Sequence, residues 1–251
     1  MVGDGVEQQD DRPMVSQVGP RLLLVEDDEV IGEATKLNLE RYDYDVTWAT
    51  DGLQAWHLYA ANPPGHELGG FDVVLSDVML PGIDGVTLCR RVREVATTPF
   101  VLISARTDAI DVVGGLEAGA DDYLTKPFDI QVLLARLRSV ARRAERPEVT
   151  PHAAAGPIER FGDLELDRQA LELRRDGMPI TLTPTEMRLF LELADAPGVV
   201  LSRTTLLAKV WDYGEWDEDT HLVNVNIQRL RTKIGADRIE TVRGFGYKLR
   251  R

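Results

Sequence analysis

From Arg21 onward the chain alternates short unbroken apolar runs with longer stretches whose apolar residues recur every three or four positions. The runs are RLLLV, DVTWA, DVVLS, FVLIS and DYLT. Runs so short and so free of polar interruption suit strands covered on both faces. The amphipathic stretches between them predict helices near residues 30–42, 53–60, 86–95, 110–117 and 130–143. Five strand-helix units in this order predict an α/β domain over residues 20–143, a doubly wound (βα)5 parallel sheet. Such sheets gather their chemistry at the carboxyl ends of the strands.

The pattern then changes. Residues 144–157, AERPEVTPHAAAGP, hold three prolines and a glycine without periodicity and are expected to be a linker. From residue 158 to 251 the chain reads as a second, α+β domain. Short alternating segments with turns at Asp167-Arg168 and Asp176-Gly177 predict a small antiparallel sheet. Thr183 or Thr185 is expected to cap a helix running through Ala194, with further helices over residues 203–210 and 220–234 and a closing hairpin around Gly244 to Gly246. Residues 1–19 are acidic and polar and are expected to form a disordered tail.

Composition narrows the class. A chain of 251 residues exceeds one ordinary hydrophobic core, and an apolar fraction of 43% makes it globular. No apolar run approaches the roughly 18 residues that span a bilayer, and the amino end is unlike a signal peptide, so a cytoplasmic protein without a membrane partner is expected. The single cysteine, Cys89, excludes an internal disulfide framework and cysteine-based zinc sites, and its place on a helix suits a buried filler. A net charge of −13 argues against nucleic acid only until its distribution is read. Residues 20–143 carry 12 Lys and Arg against 20 Asp and Glu, a net −8, whereas residues 158–251 carry 15 against 16, a net −1. Residues 224–251 hold eight basic and two acidic residues, a local +6 on one helix and one hairpin.

RLLLV runs into Glu26-Asp27-Asp28 and DVVLS into Asp77, and in a parallel sheet these ends lie side by side. Crowded carboxylates repel, at a cost of several kcal/mol, unless a cation neutralises them. Mg2+ suits the position, because it prefers oxygen ligands and keeps waters that phosphate oxygens can replace. Asp77 is then a candidate covalent acceptor of a phosphoryl group. DYLT delivers Lys126 to the same edge, where its ammonium neutralises developing charge, and FVLIS delivers the hydroxyl of Ser104. Taken singly, Asp27 or Asp28 is equally a helix cap, Asp77 the start of a turn before Pro81-Gly82, Lys126 a solvated lysine and Ser104 a cap; the functional reading rests on their conjunction. Phosphatases of the haloacid dehalogenase type need a second aspartate two residues after the nucleophile, and Met79 stands there.

The set EDD (26–28), SDVMLPGIDG (76–85), SAR (104–106) and GADDYLTKPF (119–128) closely resembles the receiver domain of bacterial two-component response regulators over residues 20–143. The resemblance implies that a sensor histidine kinase phosphorylates Asp77. It implies a Mg2+ site made by Asp27, Asp28, Asp77 and the backbone carbonyl of Met79. Lys126 contacts the phosphoryl group, with a cis Lys126-Pro127 bond, and Ser104 and Tyr123 act as a switch pair. Phosphorylated receivers of this class pair through the fourth helix, fifth strand and fifth helix, and Asp121, Asp122 and Arg136 retain part of the ion-pair pattern. Val112 and Val132 stand where a basic and an acidic residue normally pair, so a hydrophobic contact is expected in their place.

In the helix THLVNVNIQRLRTKI, Val223, Ile227, Leu230 and Ile234 share one face and predict its buried stripe. His221, Val225, Gln228, Arg229 and Thr232 lie opposite and are expected to be exposed. An exposed valine suits a thymine methyl and Arg229 suits guanine, while Arg231 and Lys233 at the edges suit phosphates. Arg243 at the hairpin tip suits a narrow minor groove. LTPTEMRLFLEL, VNVNIQRLRTKI and TVRGFGYKL resemble the winged helix-turn-helix of the OmpR/PhoB class over residues 158–251. That resemblance implies groove-facing Val225, Gln228 and Arg229, a phosphate contact from Asn226 and wing contacts from Thr241 and Arg243. Asn224 and Asn226 depart from the Asp and His more usual there. It implies promoter DNA bound as direct repeats about 10 to 10.5 base pairs apart. In WDYGEWDEDT, the loop residues Trp211, Glu215, Trp216, Asp217 and Glu218 would meet RNA polymerase. The second domain shows no catalytic constellation, so a non-enzymatic transcription regulator that dimerises on phosphorylation is expected.

Overall fold

A computed structural model describes residues 19–64, 70–105, 114–144, 158–213 and 220–250. The expected tail and nearly all of the expected linker lie outside these residues, as do Val112 and the loop residues 214–219.

The first domain runs β1 (Arg21–Val25), α1 (Glu29–Glu40), β2 (Asp45–Ala49), α2 (Gly52–Ala61), β3 (Val73–Asp77), α3 (Gly85–Val95), β4 (Phe100–Ser104), a helical segment α4 over residues 114–117, β5 (Asp122–Thr125) and α5 (Ile130–Ala144). All strand pairs are parallel, in the order β2-β1-β3-β4-β5. The two-residue period of a strand sends successive side chains to opposite faces. Leu22 and Leu24 accordingly join a layer with Leu39 of α1 and Leu133 and Leu137 of α5. Leu23 and Val25 join the opposite layer, with Ala55, Leu88 and Val92 of α2 and α3. Aspartates start three of the helices: Asp28, Asp51 and Asp84 accept backbone amides in the first turns of α1, α2 and α3.

The second domain contains an antiparallel sheet, β6 (Glu159–Phe161), β7 (Leu164–Asp167), β8 (Glu172–Arg175) and β9 (Met178–Pro179). Three helices follow, α6 (Pro184–Ala194), α7 (Arg203–Trp211) and α8 (His221–Ile234), and then the hairpin of β10 (Ile239–Val242) and β11 (Gly246–Leu249). Thr183, not Thr185, caps α6. Its hydroxyl accepts the Glu186 amide at 3.3 Å while the Glu186 carboxylate accepts the Thr183 amide at 2.8 Å, a reciprocal box that satisfies two otherwise orphaned donors. Leu189, Phe190, Leu206, Val223, Ile227 and Leu230 fill the space between the helices.

Candidate functional site

The strand registers set Val25 beside Ser76, Asp77 beside Ile103 and Ser104 beside Thr125, so the carboxyl ends of β1, β3, β4 and β5 form one edge. Chain that continues past those ends builds the site. Oxygens of Glu26, Asp27 and Asp77 lie within 4.8 Å of one another, the first and last buried and Asp27 exposed. Lys126 Nζ donates to Asp77 Oδ2 at 2.5 Å and to Glu26 Oε2 at 2.7 Å. The other Asp77 oxygen accepts the Met79 amide at 2.8 Å.

Burial raises the Glu26 carboxyl above its usual range, even though the hydrogen bond from Lys126 pulls it down. Burial also works to lower Lys126, but its bonds to Asp77 and Glu26 outweigh that and its pKa is raised. One ammonium therefore holds two buried carboxylates, and the cluster stays acceptor-rich. Gly85 lets α3 begin against this edge, since a Cβ there would lie 2.0 Å from the Asp77 carbonyl oxygen. The Lys126-Pro127 bond is cis, and the Lys126 amide donates to the Ser104 carbonyl at 2.7 Å. Ser104 and Tyr123 are both buried.

The carboxylate set differs from the expected one in one member. Asp28 turns to α1, where its Oδ1 accepts the amides of Val30 and Ile31 at 2.9 and 3.0 Å, while Glu26 joins Asp27 and Asp77. A helix directly after residue 28 needs a cap, and Asp28 supplies it. Burial sets Glu26 apart from the exposed Asp27 and Asp28, and nothing in three consecutive acids along the chain announces it.

On α8 the exposed residues are His221, Gln228 and Thr232, and Asn224, Arg231 and Lys233 are half-buried. Val225, expected to be exposed, is 8% exposed and belongs to the core cluster, and Asn226 is fully buried. Asn226 Nδ2 donates to the Leu222 carbonyl, and its Oδ1 accepts from Arg229 at 3.2 Å. Arg229 also pairs with Glu186 at 2.9 Å and donates to the Ala120 carbonyl of the first domain at 3.1 Å. The helical period finds the buried stripe of Val223, Ile227, Leu230 and Ile234 but not the burial of Val225 and Asn226, and it has no way to show that Arg229 reaches a second domain.

Lys233 pairs with Glu186 at 2.6 Å, and Arg231 donates to the Ile239 carbonyl and to Thr241 Oγ1 at 2.7 Å, tying helix to hairpin. Thr241, Arg243 and Phe245 are exposed. Trp211, expected in a solvated loop, ends α7 and is 1% exposed. Asp121 and Asp122 are fully buried, whereas Val132 is 42% exposed.

The receiver domain family of response regulators matches residues 22–138, and the C-terminal family of transcriptional regulatory proteins matches residues 177–249. The chain is 57% identical over 235 residues to the transcriptional regulatory protein CseB of Streptomyces coelicolor, covering 91% of this chain and 97% of that one. It is 45% identical over 235 residues to the transcriptional regulatory protein AfsQ1 of the same organism, covering 92% and 98%. A solved structure of a RitR mutant is similar at a TM-score of 0.66 and 25% identity, covering 92% of this chain and 99% of that one. A parallel sheet with an acidic carboxyl edge, joined to a winged helix, thus defines a two-component regulator whose output is DNA binding. The chain belongs to the OmpR/PhoB-type response regulators.

Proposed function

We propose that this regulator accepts a phosphoryl group on Asp77 from a sensor histidine kinase, dimerises, and binds direct repeats in promoter DNA to control transcription. The observation that carries the reading is the placement of Lys126 Nζ between Glu26 and Asp77, with Asp27 beside them, at the open carboxyl edge of the sheet. An Asp77 oxygen attacks the phosphorus of the kinase's phosphoimidazole, so that a P–O bond forms as the P–N bond breaks. The imidazole nitrogen leaves with the electron pair and takes up a proton from solvent. The Met79 amide and Lys126 orient the Asp77 carboxylate, and the Lys126 ammonium offsets charge as the phosphoryl oxygens arrive. Glu26, Asp27, Asp77 and the Met79 carbonyl would hold Mg2+, which supplies further neutralisation of the phosphoryl oxygens. Ser104 and Tyr123 would act as the switch pair.

For output, exposed Gln228, Thr232 and the hairpin residues Thr241 and Arg243 meet DNA, with Arg229 joining where it leaves the first domain. The loop holding Glu215, Trp216, Asp217 and Glu218 would meet RNA polymerase. Domains of residues 20–143 and 158–251, joined by 144–157, carry the two tasks in the cytoplasm. Among the described residues no helix is long and apolar enough to cross a membrane.

Incubation of the full chain with magnesium and acetyl phosphate tests the reading. Intact mass should show one hydroxylamine-labile phosphoryl group in the wild type and none in Asp77→Asn, and footprints on genomic fragments should appear with the phosphodonor. Absence of the modification from the wild type overturns the proposal.

A further inference from the structure

Beyond the last registered pair of β1 and β2, Val25 beside Ala49, the Glu26 amide still donates to the Ala49 carbonyl at 3.1 Å. The Glu26 carbonyl accepts the indole Nε1 of Trp48 at 3.0 Å. Trp48 lies on β2 beside Leu24, half-buried against the layer of Leu22, Leu24 and Leu39. The chain then bends at Asp27 and enters α1, where the Gly32 amide donates to the Asp28 carbonyl at 2.8 Å. The Trp48 ring rests on this first turn at Gly32. A Cβ there would stand 2.2 Å from Cζ2, 2.5 Å from Cε2 and 2.9 Å from Nε1 of the indole. Any larger residue has to move the ring, and with it the N–H that holds Glu26.

In an extended chain neighbouring side chains point to opposite faces, so Glu26 and Asp27 should part. Oxygens of both nevertheless lie within 4.8 Å of an Asp77 oxygen. Their convergence needs the peptide between them to be turned out of the strand pattern. The Glu26 carbonyl belongs to that peptide, which is planar, so a bond that fixes the carbonyl also fixes the Asp27 amide.

We propose that Trp48 is a positioning residue for the Mg2+ site: it fixes the Glu26-Asp27 peptide so that both carboxylates face Asp77, and Gly32 admits its ring. The inference rests on the phosphoacceptor reading above and adds to it two residues outside the acidic cluster. Like charges drive exposed Asp27 away from buried Glu26 and Asp77, so the peptide must be held if the three are to meet one ion. Mg2+ tolerates little departure from octahedral geometry, which makes that orientation count. An indole N–H is a donor without charge. It orients the peptide without adding a cation that competes with the metal, as a lysine or arginine at this place does.

The test is a magnesium chloride titration of the full chain, followed through the backbone amide resonances of residues 76–79 and, in the wild type, the Trp48 indole N–H resonance. Trp48→Phe removes the donor and keeps an aromatic ring, whereas Gly32→Ala keeps the donor and displaces it. Each should raise the magnesium dissociation constant by about tenfold, and the wild-type indole resonance should shift along the same binding curve as the amides. Phosphorylation by acetyl phosphate should slow at low magnesium in both variants and regain the wild-type rate at saturation, because Asp77, Lys126 and Met79 are untouched. A side chain that merely fills space would lower the unfolding midpoint in metal-free buffer and leave the dissociation constant alone. That result overturns the proposal, as does a wild-type indole resonance unmoved by bound magnesium. Should either variant not fold, the other variant and the wild-type indole decide by the same criteria. If the wild-type amides of residues 76–79 ignore magnesium, the reading of the acidic edge fails and this inference falls with it; binding by the wild type with unaltered variants removes only the role of Trp48.

Discussion

The two ends of β5 each bury carboxylates beside cations, but they are closed in different ways. At the carboxyl end a single lysine on a flexible stem spans Glu26 and Asp77, with exposed Asp27 alongside. At the amino end Asp121 is held by a planar guanidinium: Arg93 donates to Asp121 Oδ2 at 2.7 Å, to the Gly119 carbonyl at 2.8 Å and to the Thr98 carbonyl at 2.6 Å. The Phe100 amide adds a bond to the same oxygen at 3.0 Å. An ammonium is a compact charge that a metal or a phosphoryl group can displace or share, whereas a guanidinium fork committed to three acceptors is a fixed brace. The open cluster suits the phosphoryl chemistry proposed for it. The closed one is arranged to hold a surface in shape for whatever docks on it.

Breaking the brace should have the largest effect. Arg93→Ala leaves Asp121 buried without its cation, and urea unfolding of the full chain should show a loss of about 4 kcal/mol that magnesium does not restore. Lys126→Ala should cost about 3 kcal/mol in metal-free buffer at neutral pH, for the same reason. Here magnesium should recover most of the loss, because the open cluster accepts a replacement cation. Equal recovery in both variants would erase the distinction between the two ends.

Gly85→Ala should cost about 2 kcal/mol in the same assay, because the new Cβ forces α3 away from the Asp77 carbonyl. It should also slow phosphoryl uptake; wild-type stability in this variant would mean that the edge is less tightly built than the 2.0 Å approach requires.

The smallest effect is one of pH. Burial pushes Asp122 up to about 6, from an ordinary 3.8, against the opposing pull of Arg136 and Arg143. With Tyr213 of the second domain over it, Asp122 therefore binds a proton more readily than when exposed, so the contact is favoured as pH falls through about 6 and weakened above it. Between pH 7 and pH 5, protection of residues 206–213, corrected for intrinsic exchange, should rise by up to about tenfold. A fall in protection on acidification would show that the ionised carboxylate, paired with Arg143, is the form that holds Tyr213.

Much of this was legible along the chain. Five apolar runs separated by amphipathic stretches predicted a parallel sheet, and the helix cap that either Asp27 or Asp28 could supply falls to Asp28, while the caps at Asp51 and Asp84 were not read from the chain. Asp77, Lys126 and Ser104 could be placed on one edge because strand ends of a parallel sheet coincide. Glu26 was not separated from Asp28, since three consecutive acids differ only in the direction each one points. Trp211 was misplaced because the pattern of one domain does not say which of its surfaces another will cover, and Val225 because the buried stripe of α8 is wider than the four residues assigned to it.

The amino-acid sequence by itself determined the order of strands and helices among the described residues and nominated the residues proposed for phosphoryl and DNA chemistry, because backbone period and side-chain type act locally. Only the tertiary structure decided which carboxylates share a cation and which polar groups disappear under a neighbouring domain. Those outcomes depend on distances between residues far apart in the chain, such as the 91 positions between Asp122 and Tyr213, and on the steep dependence of electrostatic energy on burial and separation.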